Sequence, residues 1–159
     1  MFIFSSFNKY IAMFRKMRRK KQELSADECI EILTKEPRGV LALLGDDDYP
    51  YALPMSHVYV DGKIYFHGAK KGHKLDAVKR YPKVSYCVVN DGVKNECEWW
   101  YTFKSVIVFG KIKTLSDRNE KIEKLTHLGD KFFPTHDETV DEINRLLVEQ
   151  PRLIEGEDS

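Results

Sequence analysis

Asp61-Gly62 stands between two runs of β-type residues, Tyr51–Val60 and Lys63–His67. A two-residue Asp-Gly link closes a β-hairpin, because both residues accept the positive φ that the tight turn demands. That dipeptide commits the middle of the chain to antiparallel pairing. Pro54 lies inside the first run. Proline cannot donate to a strand ladder, so this position must be an edge or an irregularity.

The flanking segments extend the pattern. Ser25-Ala26-Asp27-Glu28 is a capping box, and it predicts a helix from Ala26 to about Lys35, ended by Pro37 and Gly39. Val40–Leu44 is a continuous apolar run, expected as a strand buried on both faces. A helix is expected from Lys74 to Tyr81, then a strand from Val84 to Val89. A long strand follows from Trp99 to Leu115, with a bulge or bend at Gly110. Asp117 with Glu120 caps a helix reaching His127, and a last helix covers Glu138 to Glu149 with Val140, Ile143, Leu146 and Leu147 inward. Hairpins dominate and crossovers are few. The order predicts a mainly β fold, an antiparallel barrel with flanking α-helices.

The second hairpin strand runs directly into His67-Gly68-Ala69-Lys70-Lys71-Gly72-His73-Lys74, and a helical pattern follows. Strand, glycine-bearing turn and helix start together suit an anion. Glycine permits close approach to the main chain, and the first helical amides and the helix dipole favour negative charge. Lys70, Lys71 and Lys74 add charge, and His67 and His73 add imidazole donors. The spacing is neither a Walker A loop nor G-x-G-x-x-G. Two readings stand on these residues alone: a phosphate-ester site, or a solvated lysine-rich turn.

Composition narrows the partners. A formal charge of +1 selects neither nucleic acid nor membrane. Cys29, Cys87 and Cys97 are odd in number and lack C-x-x-C spacing, which speaks against a disulfide framework or zinc site and suits a reducing cytoplasm. Cys87, within a strand pattern, is expected to be buried. Met1 to Phe14 is apolar but too short and interrupted to span a bilayer, and the basic cluster from Arg15 to Lys21 follows it instead of preceding it. Residues 1–22 therefore read as a flexible or mis-started extension, with Met13 or Met17 as the natural start. Residues 23–159 read as a single domain.

Three stretches carry a resemblance. Tyr49–Met55, Gly62–Asp76 (with Y-F-H-x-A-x-x-G-x-K) and Lys104–Lys111 resemble the nitroimidazole-resistance (Nim) family of pyridoxamine 5′-phosphate oxidase-like split-barrel flavoproteins. The likeness runs from about Met13 to about Ile154. It implies a six-stranded antiparallel split barrel that forms a homodimer, with FMN between the subunits. Leu53, Pro54, Met55 and Ser56 would run beneath the isoalloxazine, and His67, Gly68 and Ala69 would continue that wall. Lys74 would hold the phosphate, assisted by His73 or Lys70. Trp99, Trp100 and Tyr101 would lie near the partner's flavin or in the dimer interface. His67 is the residue placed closest to catalysis, and no metal is implied.

The chain departs from that family after Leu153-Ile154, where Glu155–Ser159 replaces most of the strand that usually completes the barrel. The implied activity is an FMN-dependent reductase, passing electrons from a small-molecule donor to a small acceptor such as a nitroaromatic. The alternative is a non-catalytic flavin- or haem-binding storage or sensor module, with His57, His67 or His73 as haem ligand. His57 is open to two roles, a substrate-side proton donor or a structural histidine. Pyridoxamine-phosphate oxidation itself is disfavoured, because Arg152 is the only arginine after Arg145.

Overall fold

The computed structural model describes residues 2–5, 16–68 and 71–149. Its elements are β1 (Phe2–Ser5), α1 (Ala26–Lys35), β2 (Arg38–Leu44), β3 (Pro50–Ser56), β4 (Val58–Val60) and β5 (Lys63–Phe66). They continue with α2 (His73–Arg80), β6 (Lys83–Val89), β7 (Ser105–Thr114), α3 (Arg118–Phe132) and α4 (His136–Glu149).

The strands form one antiparallel sheet in the order β3-β2-β6-β7-β1-β5-β4. Its two ends, β3 and β4, are consecutive in the chain and separated by His57 alone. One extended stretch thus pairs with β2 at its start and with β5 at its finish, so the sheet wraps round to meet itself at His57. Counting that stretch as one strand gives the expected six. Pro54 sits opposite Val40 in β3, a strand at one end of the sheet order, the edge that its missing N–H calls for. Asp61 and Gly62 take φ of 49° and 76°, the mirror-image turn that their sequence demands. Four residues of the stretch read as an extension, Phe2–Ser5, pair with both β5 and β7. Leu153-Ile154 and the acidic tail lie outside the described residues.

α1 is capped as its sequence dictates: the Ser25 hydroxyl accepts from the Glu28 amide, and Glu28 accepts from the Ser25 amide at 2.9 Å. Ile32 and Leu33 enter the main core beside Leu41, Phe66, Tyr86 and Val108. A second cluster, around Val58, Tyr65, Leu125 and Ile143, seats the α3–α4 pair on β4 and β5.

Several expectations are corrected. β2 alternates, with Leu41 and Leu43 buried and Val40 exposed, because only one sheet face is covered. β7 begins at Ser105 instead of Trp99, leaving the preceding aromatic residues in a loop joined by the single bridge Val93↔Thr102. The β6–β7 register passes through Gly110↔Val84 without a break, so no bulge forms in that pairing. In α4 Thr139 is buried beside Ile143 while Val140 is exposed, because Thr139 packs against Gly129 of α3, where any Cβ would collide with it. Cys87 is only partly buried, since its side of β6 is the uncovered face.

Candidate functional site

The turn between β5 and α2 is built on glycine. Gly72 caps α2 with φ +120°, a conformation that L side chains rarely adopt, and it offers no side chain to the helix amides. Among the described residues nothing lies within 4 Å of where a Cβ there would stand, so none of them blocks the approach to the helix start. Leu75, Ala77 and Val78 fasten the helix into the core. Arg80 at its far end donates to the carbonyls of Leu44 and Gly45 and to the Asp46 carboxylate at 3.1 Å. α2 is therefore pinned to the β2–β3 turn, and its first turn is held beside β3.

Lys74 occupies that first turn. Its ammonium lies 3.5 Å from the Met55 sulfur of β3, and partial burial lowers its pKa. Lysine desolvated in this way gains from an anion that restores its charge balance. His67 follows β5 directly. Part of its ring reaches solvent, but crowding lowers its pKa, with a contribution from the Lys74 charge; Glu142 of α4 opposes this. Met55, His67 and Lys74 thus share one electrostatic neighbourhood.

The other expected residues are placed as follows. Leu53 packs partly buried against the main core, Pro54 and Ser56 are exposed on the other side of β3, and Gly68 is half-buried. His73 turns toward the β2–β3 turn: its ring stacks on Tyr51 at 4.3 Å, and its Nε2 lies 3.4 Å from Asp46. Trp100 is 48% exposed in the β6–β7 loop, where its ring meets Trp99 edge-on. Ala69 and Lys70 lie outside the described residues.

His57 is fully buried, which removes it from substrate-side proton donation. Its Nε2 is 2.8 Å from the Leu33 carbonyl, and its Nδ1 is 2.9 Å from the Tyr86 hydroxyl. Burial holds its pKa down at about 4, helped by the Lys131 charge. Sequence reasoning passed over Tyr86, Tyr51 and Asp46. A signal for the buried role of His57 existed: Pro37 stands four residues after Leu33, so the Leu33 carbonyl lacks its helical N–H donor and needs a side chain.

Outside this site, one sheet face carries apolar rows across four strands. Pro54, Val40, Cys87 and Ile107 form one row; Ala52, Ala42, Ser85 and Phe109 form the next. Ile107 is 58% exposed, and Trp99 in the adjoining loop is 85% exposed. Among the described residues no helix is long and apolar enough to cross a membrane.

The fold is that of a split-barrel protein. Residues 25–156 match the family described as pyridoxamine 5′-phosphate oxidase, and the chain belongs to it. No curated protein matches. Among solved structures, the chain is similar to a protein assigned to 5-nitroimidazole antibiotic resistance, from Bacteroides thetaiotaomicron (18% identity, TM-score 0.64, 71% of this chain and 69% of that one). It is also similar to a FAD-binding protein from Mesorhizobium loti (29% identity, TM-score 0.54, 70% and 80%). A third is the FAD and haem binding protein from Mycobacterium smegmatis (22% identity, TM-score 0.62, 74% and 58%).

Proposed function

We propose that this chain binds FMN between the two subunits of a homodimer and reduces small acceptors such as nitroaromatics. The observation that carries the reading is the half-buried Lys74 ammonium, poised at an open, glycine-capped helix start beside β3. An ammonium, helix amides and glycine suit the phosphate of FMN. Lys74 would hold that phosphate. Leu53 to Ser56 and His67 to Gly68 would bound the ring system. His73, engaged with Asp46 and Tyr51, would act indirectly by fixing the helix start.

Bound flavin supplies two-electron transfer from a reduced nicotinamide or similar donor to the acceptor. The protein's part is to bind, orient and shield. His67 is the imidazole positioned to hold or donate a proton beside the acceptor. The apolar rows through Pro54 and Ile107 supply a surface that a second copy would cover, bringing that copy's Trp100 loop to the seam. Unpaired thiols at Cys29, Cys87 and Cys97 fit a cytoplasmic setting.

The haem alternative keeps one histidine. His57 has both ring nitrogens engaged in the core, and His73 is held by Asp46 and Tyr51, which leaves His67. The FAD-binding description of the similar Mesorhizobium loti protein favours flavin first.

Fluorescence titration separates the phosphate from the ring. Lys74→Met should weaken FMN binding roughly 10- to 100-fold and leave riboflavin binding unchanged. Equal loss for both ligands, or none for FMN, would remove Lys74 from the phosphate.

A further inference from the structure

Tyr86 touches both walls of the candidate site from beneath. Its hydroxyl donates to the Met55 carbonyl of β3 at 2.8 Å. Its ring packs edge-on against Phe66, the residue before His67, with centroids 4.9 Å apart. It is fully buried in β6, and the Gly39 amide also approaches its oxygen. Gly39 leaves the room for this: a Cβ there would lie 2.8 Å from the Tyr86 ring.

Proton counting sharpens the arrangement. The Leu33 carbonyl can only accept, so His57 carries its proton on Nε2. A neutral imidazole then has a bare Nδ1, facing the Tyr86 hydroxyl at 2.9 Å. Tyr86 owns one proton, and both that nitrogen and the Met55 carbonyl stand within reach of it. Three contacts are served by two protons. A third would require the imidazolium, which this buried position opposes.

We infer that Tyr86 is a positioning residue for the flavin site, and that its single proton, shared between Met55 and His57, sets where the β3 wall stands. The inference rests on the FMN reading above. It predicts that the hydroxyl, and not merely the packed ring, governs how Leu53–Ser56 meets the flavin. A change at that wall shifts the proton toward one acceptor or the other.

The test is Tyr86→Phe, which keeps the ring and removes the hydroxyl, beside Val88→Ala, a fully buried β6 neighbour outside the relay. Three quantities are read: melting temperature, FMN dissociation constant, and the carbonyl ¹³C shift of Met55 in protein labelled at methionine carbonyls. Tyr86→Phe should move the Met55 carbonyl resonance in the flavin-free protein and weaken FMN binding about 3- to 10-fold. In wild type the same resonance should move when FMN is added. Val88→Ala should lower the melting temperature with FMN affinity unchanged. An unmoved Met55 resonance in Tyr86→Phe, or equal loss of affinity in both variants, overturns the inference and leaves Tyr86 as core packing. If wild type takes up no FMN while Tyr86→Phe still moves the resonance, the FMN reading fails first, and the inference about the site falls with it.

Discussion

His57 makes the protein pay for acid. Its folded pKa is held at about 4 by burial and by the Lys131 charge, against 6.5 for an ordinary imidazole. Folded and unfolded states both carry neutral His57 above about pH 6.5, so its full contribution is present there. Below that, the unfolded chain takes up a proton that the fold refuses, and stability falls until the folded pKa is reached. At about 1.4 kcal/mol per unit, the window from 6.5 to about 4 represents about 3 kcal/mol. Urea denaturation across that range should show the loss in wild type and a shallower one in His57→Gln; parallel slopes would contradict it. From sequence this histidine was visible only as one of two roles. Burial decides between them, and burial depends on two distant segments, Leu33–Pro37 and the strand of Tyr86, converging on it. Lys74 was singled out from its turn alone, but its contact with the Met55 sulfur joins it to β3, 19 residues earlier. The role of His73 was not legible, since its partners Asp46 and Tyr51 come from the β2–β3 region.

At the scale of elements, local signals were read well and tertiary ones poorly. The capping box fixed the start of α1, Pro37 and Gly39 its end, and Asp61-Gly62 fixed the hairpin, because each is settled within a few residues. Trp99–Phe103 looked like strand from its aromatic content, yet it finds only one bridge; β-propensity is a statement about having a partner surface. β1 was unreadable for the converse reason. Four residues make a strand because β5 and β7 both leave an edge there. β1 is the element through which those two edges are joined within the sheet. Deleting residues 1–12 should therefore lower the melting temperature and promote self-association through the exposed edges. A truncated protein that melts and sediments like the full chain would show that β1 adds nothing to the sheet.

For the whole molecule, one face of the sheet is apolar and uncovered among the described residues, while the other holds the core. The rows through Pro54, Val40, Cys87 and Ile107 are wide for a surface meant to face water. The proposed dimer covers them, and light scattering should find wild type dimeric and Ile107→Lys shifted to monomer. A wild-type monomer would leave the site to be completed by one chain. The barrel-like wrap was legible as a family likeness, whereas the meeting of the two sheet ends at His57 depends on one stretch serving both, which no local pattern encodes. The most direct measurement is the absorption spectrum of protein purified from a flavin-sufficient host, with the released chromophore identified. Flavin bands and released FMN are the predicted result. A Soret band, or no chromophore even after FMN is added, would contradict the account.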